Sequence, residues 1–168
     1  AYHVTAPHPE AIGGARAIKQ AYEEAGMPDA KIYFNAHGTS TPLNDKSETL
    51  AIKKALGNKA GIKRYGNFTV VMDEALATVN LDVSGRPFLM FDAPFVGTRC
   101  GDFDVQLTEE FFRGVAMEGG LTLHMKVAYG KNDHHMIEAL FKAFARALDM
   151  ATQMDGRFDG IPSTKGVL

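Results

Sequence analysis

The densest group of chemistry-bearing side chains in this sequence is Asn132-Asp133-His134-His135-Met136-Ile137-Glu138. His134 and Glu138 stand four residues apart and His135 and Glu138 three apart. On a helix each pair shares a face. Adjacent helical residues diverge by about 100°, so His134 and His135 address different ligands: two metals, or one metal and one substrate. Imidazole and carboxylate donors suit Mn, Fe, Zn or Ni. Such a set with room left for substrate is catalytic in style. His124 is a further ligand if its side chain turns toward the helix start. The same residues also describe an ordinary solvated helix N-terminus with Asp133 as its N-cap.

A second set could hold an anion. Ser163 and Lys165 lie in a tail punctuated by Gly and Pro, and Arg64 and Arg99 are isolated cations near glycines. A phosphate wants Arg forks, a Lys point charge, a hydroxyl and free backbone N–H groups. A loose tail and unremarkable surface arginines are the alternative. His37, in Asn35-Ala-His-Gly-Thr-Ser-Thr-Pro42, sits just past an expected strand end, where a base or oxyanion donor can work. It has no nearby Cys or Asp partner, and Cys100 lies far along the chain. Asp73-Glu74 reads as a solvated strand end rather than an acid/base couple.

The elements that position these groups follow from apolar spacing. Ile12, Ala15, Ile18, Ala21, Tyr22 and Ala25 predict a helix over residues 10–25, closed by Gly26 and Pro28. Residues 31–35 predict a strand, 37–44 a loop, and 45–56 a helix opened by an Asp45/Glu48 capping box. Beyond it, residues 68–72, 76–83 and 88–93 predict a meander of strands with one apolar face. A helix over 104–117, a strand over 121–129 and a helix over 133–152 complete the pattern. The expected fold class is therefore α+β: an antiparallel sheet with helices on one face, preceded by a β/α segment.

Composition excludes several function classes. The 168 residues carry 18 basic and 20 acidic groups, for a net charge of −2. That balance gives no electrostatic case for nucleic acid or anionic membrane. With 45% hydrophobic and 23% charged residues the profile is globular. A single cysteine excludes an internal disulfide and fits a reducing compartment. No signal peptide is read, and the opening on Ala1 suits a segment cut from mid-domain.

Two resemblances emerge from these runs. From about Gly57 to Leu168 the chain resembles the C-terminal part of imidazoleglycerol-phosphate dehydratase, the hydro-lyase of histidine biosynthesis. The runs that carry it are Gly61-Ile-Lys-Arg-Tyr-Gly66, Met72-Asp-Glu-Ala-Leu76, Asp82-Val-Ser-Gly-Arg-Pro87, Gly101-Asp-Phe-Asp104, Thr122-Leu-His124, Asn132 through Glu138, and Pro162-Ser-Thr-Lys-Gly-Val-Leu168. Residues 1 to about 56 resemble a segment of the C-terminal, thiolase-fold domain of β-ketoacyl-acyl-carrier-protein synthases. Tyr2-His-Val-Thr-Ala-Pro7 and Asn35 through Asp45, followed by Glu48-Thr-Leu-Ala-Ile52, are its marks. The chain thus reads as a chimera of residues 1–56 and 57–168, joined within Leu50–Ala60.

The dehydratase resemblance implies a site. His124, His134, His135 and Glu138 match its metal ligands, with Glu138 and His134 also catalytic, and the metal implied is manganese. Arg64, Arg99, Ser163 and Lys165 match its substrate phosphate positions. In that family two related halves meet across the contacts of a large oligomer. The metals bind the substrate imidazole as its anion, and loss of the hydroxyl gives an enol that becomes a ketone. The family's N-terminal half, with its own His-His-x-x-Glu motif, is absent here. His37 matches a synthase catalytic His, but the synthase Cys and second His are absent, so an inactive His37 is expected. The resemblance therefore implies a cytoplasmic, homo-oligomeric hydro-lyase acting on a small phosphorylated imidazole, with half a metal site. The alternative is a catalytically silent chimera. Neither reading involves nucleic acid or membrane.

Overall fold

The computed structural model describes residues 57–157 and 159–164. The elements expected over residues 10–56, together with His37 and Lys165, lie outside the described residues. In chain order the described elements are β1 (Tyr65–Met72), β2 (Ala75–Asp82), β3 (Phe88–Asp92), β4 (Arg99–Cys100), β5 (Phe103–Asp104), α1 (Gln106–Gly119), β6 (Thr122–Tyr129) and α2 (Asp133–Thr152).

Alternation builds the sheet. In β2, Ala75, Ala77, Val79 and Leu81 are buried, while Leu76, Thr78, Asn80 and Asp82 point to the opposite face. β6 repeats this with Leu123, Met125 and Val127 inside. β1 and β2 pair antiparallel from Tyr65 opposite Asp82 to Met72 opposite Ala75. Their two-residue turn holds Asp73 at φ 47°, a left-handed conformation that Asp tolerates better than most residues. β6 pairs antiparallel with the other side of β2, with an irregularity at Leu76/Ala77.

The meander expected for the first three strands is not what forms. The sheet order is β1-β2-β6-β3, and β3 runs parallel to β6 from Phe88 opposite Thr122 to Asp92 opposite Lys126. The sheet is therefore mixed, within the α+β class that the pattern predicted. The reason lies in the connections. Parallel neighbours need a long crossover, usually helical, and the chain between β3 and β6 carries α1. The short run from Val83 to Pro87 arches past the start of β6 instead of closing a hairpin. The Ser84 and Thr122 hydroxyls, 2.9 Å apart, pin that arch, and Thr122 also donates to the Arg86 carbonyl at 2.9 Å.

Both helices cover one face of the sheet. Phe112 of α1 is fully buried, with its ring 4.7 Å from Phe141 and 5.3 Å from Phe144 of α2. Burying such a side chain contributes about 2–3 kcal/mol. Phe91 of β3 stacks on the same ring at 6.5 Å. α2 lies along β1 and β2, and the approach is close at Gly66. A Cβ there would fall 1.8 Å from the Ala147 carbonyl oxygen, so only glycine lets the helix backbone settle on the strand. Among the described residues no helix is long and apolar enough to cross a membrane.

Gly66→Ala is expected to cost more than about 2 kcal/mol, since backbone rather than a movable side chain must yield. Gly114→Ala, inside α1 with nothing within 4 Å of the added Cβ, is expected to gain about 0.5–1 kcal/mol. Urea unfolding midpoints check both. A neutral Gly66→Ala would refute the close approach.

Candidate functional site

The histidine pair opens α2, and the local hydrogen bonds explain how it is held. Asn132 is the N-cap, its side chain accepting from the His134 backbone N–H at 2.9 Å. Asp133, expected in that role, does something else. Its carboxylate accepts from the Val96 and Gly97 N–H groups at 2.9 and 2.6 Å, tying the loop after β3 to the helix start.

The two imidazoles diverge, as the helical angle requires. His134 is exposed, with Nε2 3.4 Å from Glu138 Oε2. Glu138 also accepts from Lys142 Nζ at 2.6 Å, and that hydrogen bond holds its carboxyl below the usual range. His134, Glu138 and Lys142 thus line one helix stripe at i,i+4 steps. The His135 ring centre lies 6.1 Å from that of His134 and addresses a different element. Its Nδ1 is 2.7 Å from Glu74 Oε2, and its Nε2 is 3.7 Å from Asp73 Oδ2.

Glu74 is the residue that sequence reasoning missed. Its Oε1 accepts from the Lys131 and Asn132 backbone N–H groups at 2.9 and 2.8 Å, while Oε2 meets His135. These bonds, the one to His135 foremost, hold its carboxyl down to about 2. The same bond pushes the His135 imidazole up, against the opposing effect of desolvation. An acid in a two-residue turn looks solvated, and its partners lie 57 to 61 residues away. Only the pairing of β2 with β6 brings them together.

A second cluster occupies the opposite end of the sheet. Arg64 grips Asp82 with Nε at 2.7 Å and Nη2 at 3.0 Å, and donates from Nη1 to the Pro162 carbonyl at 2.7 Å. That last bond brings the Pro162–Ser163 segment against Arg64. Arg86 Nη2 stands 3.9 Å from the same Asp82 carboxylate, and its side chain is 74% exposed. In the sequence Arg86 stood out only within the run Asp82 to Pro87. It meets Asp82 over a span of four residues, and the β1–β2 pairing sets Asp82 beside Arg64.

Two of the expected site residues lie elsewhere. Arg99 does not join Arg64 and Ser163. It lies on β4 and donates from Nη2 to the Asp102 carbonyl at 2.6 Å. There it lines an open depression with Gly97, Cys100, Lys131 and His134. His124 does not turn toward the helix start. Leu123 and Met125 take the buried face, so His124 is exposed on the other face, its ring 5.6 Å from Phe88. It stands five residues before the end of β6, about 17 Å along the strand. The Cys100 thiol is pushed up by burial and by nearby Asp133, which makes it a poor nucleophile.

The donors at the α2 start fit a divalent cation in kind, being imidazole and carboxylate. Among the described residues, however, no three His, Cys, Asp or Glu side chains converge tightly enough to hold one.

Fold and site together define an α+β protein that carries an imidazole–carboxylate rim on a helix start and an arginine pair at the far end of its sheet. Residues 49–148 match the family model described as imidazoleglycerol-phosphate dehydratase, and residues 1–81 match that of the β-ketoacyl synthase C-terminal domain. The chain belongs to the imidazoleglycerol-phosphate dehydratase family. The two matches overlap over residues 49–81. The chain is 57% identical over 119 residues to the dehydratase of Ruminiclostridium cellulolyticum, covering 71% of this chain and 61% of that protein. To the dehydratase of Acetivibrio thermocellus it is 58% identical over 118 residues, covering 70% and 60%. The crystal structure of the dehydratase from Staphylococcus aureus superposes with a TM-score of 0.63 at 40% identity, over 67% of each chain. That from Pyrococcus furiosus, in complex with (S)-C348, gives a TM-score of 0.63 at 32% identity, over 82% of this chain and 74% of that one. The chain spans about 60% of the length of the curated relatives it matches.

The Glu74–His135 bond sets a pH window. The His135 value is raised above its ordinary 6.5, so its share of stability is complete below 6.5 and fades as pH rises through the folded value. The Glu74 value is lowered from 4.5 to about 2, so its share is complete above 4.5 and fades as pH falls toward 2. Both describe one bond, which is at full strength between 4.5 and 6.5. In chelator, the Tm advantage of the wild type over Glu74→Ala is therefore expected to peak in that window and shrink above neutrality. A difference that stays flat from mildly acidic to alkaline pH would remove the bond from the account.

Proposed function

We propose that this chain acts in the metal-dependent dehydration of imidazoleglycerol phosphate, the hydro-lyase step in histidine biosynthesis, and contributes the C-terminal half of that site. The observation that carries the reading is the separation of two incomplete clusters. The rim of His134, His135 and Glu138 lies beyond one end of β2, and the Arg64–Arg86 cluster lies at the other. Eight residues of strand separate them, about 25 Å. A small phosphorylated imidazole cannot span that distance. One substrate uses both clusters only where the rim of one copy meets the arginine end of another, so the active form is a homo-oligomer.

In this reading His124, His134, His135 and Glu138 hold the metal, with the ligands contributed by different copies. Manganese suits their mixed imidazole and carboxylate donors. When bound, it supplies Lewis-acid stabilisation of the negative charge that develops on the substrate imidazole. Ser163, Lys165, Arg64 and Arg86 hold the phosphate. Arg64 is already committed to Asp82 and anchors the cradle, whereas Arg86 is the freer fork. Arg99, beside His134, is better placed to contact substrate at the rim than to join that cradle. Glu138 and His134 are the catalytic pair that moves the proton. Loss of a carbon-bound proton and of hydroxide, together one water, gives an enol that rearranges to the ketone. The single thiol suits a reducing, cytoplasmic setting.

A second reading has its own support. The match of residues 1–81 to a synthase domain favours a silent chimera joined near residue 56. Its N-terminal part, His37 included, would then be inactive.

Metal content, oligomer mass and turnover measured on one purified sample separate the two. The first reading expects manganese-dependent turnover confined to oligomers. Arg86→Gln should raise KM roughly 10- to 100-fold, the loss of a charge-assisted hydrogen bond worth about 1.5–3 kcal/mol. No turnover and no retained metal in any oligomer would leave the silent chimera standing.

A further inference from the structure

We infer that Glu74 is a positioning residue that fixes the tautomer of His135, keeping the proton on Nδ1 and leaving Nε2 as the nitrogen that meets the metal. The inference rests on the reading of His135 as a ligand and adds to it a residue outside the ligand set.

The geometry is specific. Glu74 Oε1 already accepts from two backbone N–H groups, at Lys131 and Asn132, so the carboxylate is committed as an acceptor. Its Oε2 lies 2.7 Å from His135 Nδ1. An acceptor-only carboxylate at that distance demands a proton on Nδ1. In the neutral ring that proton leaves the lone pair on Nε2, and the hydrogen bond of one ring nitrogen decides which nitrogen is free to ligate. Asp73, 3.7 Å from Nε2, is too far to hydrogen-bond it. Glu74 comes from the β1–β2 turn and His135 from α2, so the contact also fixes the ring against the end of the sheet.

The arrangement makes one substitution diagnostic. In Glu74→Gln the two backbone N–H donors claim the amide oxygen, because the reverse orientation would leave both facing an NH2 group. The amide NH2 is then turned toward His135 and donates to Nδ1. That forces the proton to Nε2, while the loop remains capped. A side chain of nearly the same shape thus reverses the tautomer and blocks the ligating nitrogen.

The test reads 15N shifts of the His135 ring in the metal-free full chain above the ring's titration, assigned by their loss in His135→Asn. Wild type is expected to show Nδ1–H, and folded Glu74→Gln to show Nε2–H. The affinity for Mn2+ alone, followed by the paramagnetic resonance of the free ion, is expected to fall roughly 10- to 100-fold in Glu74→Gln. An Nε2–H tautomer in wild type overturns the inference even if the variant fails to fold. So does an unchanged tautomer in folded Glu74→Gln. A wild type that shows Nδ1–H yet holds no Mn2+ supports the tautomer assignment and overturns the proposed function instead.

Discussion

The seating of α2 on β1 at Gly66 is the contact on which the rest depends. It sets how deeply the long helix lies on the sheet, and hence where its first turn emerges. At that turn Met136 is fully buried, and a Cβ on Gly130 would fall 2.4 Å from its side chain and 3.2 Å from Ala75. The helix is thus clamped near both ends. Between the clamps Leu140, Ala143 and Phe144 fill the space over β2, and Phe112 locks the second helix beside them. Because Met136, Ala139 and Leu140 face inward, His134 faces outward and His135 lies against the β1–β2 turn. The rim is a by-product of core packing, sharpened by three carboxylates, Glu74, Asp133 and Glu138, each with a different partner.

Much of this was legible in the residues, and the parts that were not share a cause. Apolar periodicity located five main elements nearly to their ends and α2 fully, from Asp133 to Thr152. It could not say which strand neighbours which, because a strand with one buried face reads the same beside any partner. Hence the expected meander. The N-cap passed from Asp133 to Asn132 for a similar reason. Both side chains can cap, and the Val96–Gly97 loop that recruits Asp133 lies 36 residues upstream. The divergence of the two histidines was predictable, since it is set by the helix alone.

The distribution of charge repeats one economy at both ends of the sheet. Each end uses one acid to organise the groups around it. Asp82 gathers Arg64 and Arg86, and Glu74 gathers a histidine and two backbone donors. Neither acid stands among the site residues that the family resemblance implies, yet each binds one of them, Arg64 or His135. Such supporting residues are held by geometry rather than by their own chemistry, so they escape any search confined to reactive side-chain types.

The parallel pairing of β3 with β6 also shapes how the chain can fold. β1 and β2 meet through a two-residue turn, so their hairpin closes early and locally. Phe88 and Thr122 are 34 residues apart when they pair, and the pairing must await both α1 and β6. β3 thus reaches its partner at a loop-closure cost comparable to that of β2 with β6, whose nearest pair, Asp82 and Thr122, stands 40 residues apart. While β3 is undocked, the outer edge of β6 stays open, and an open strand edge is a template on which a second chain can pair.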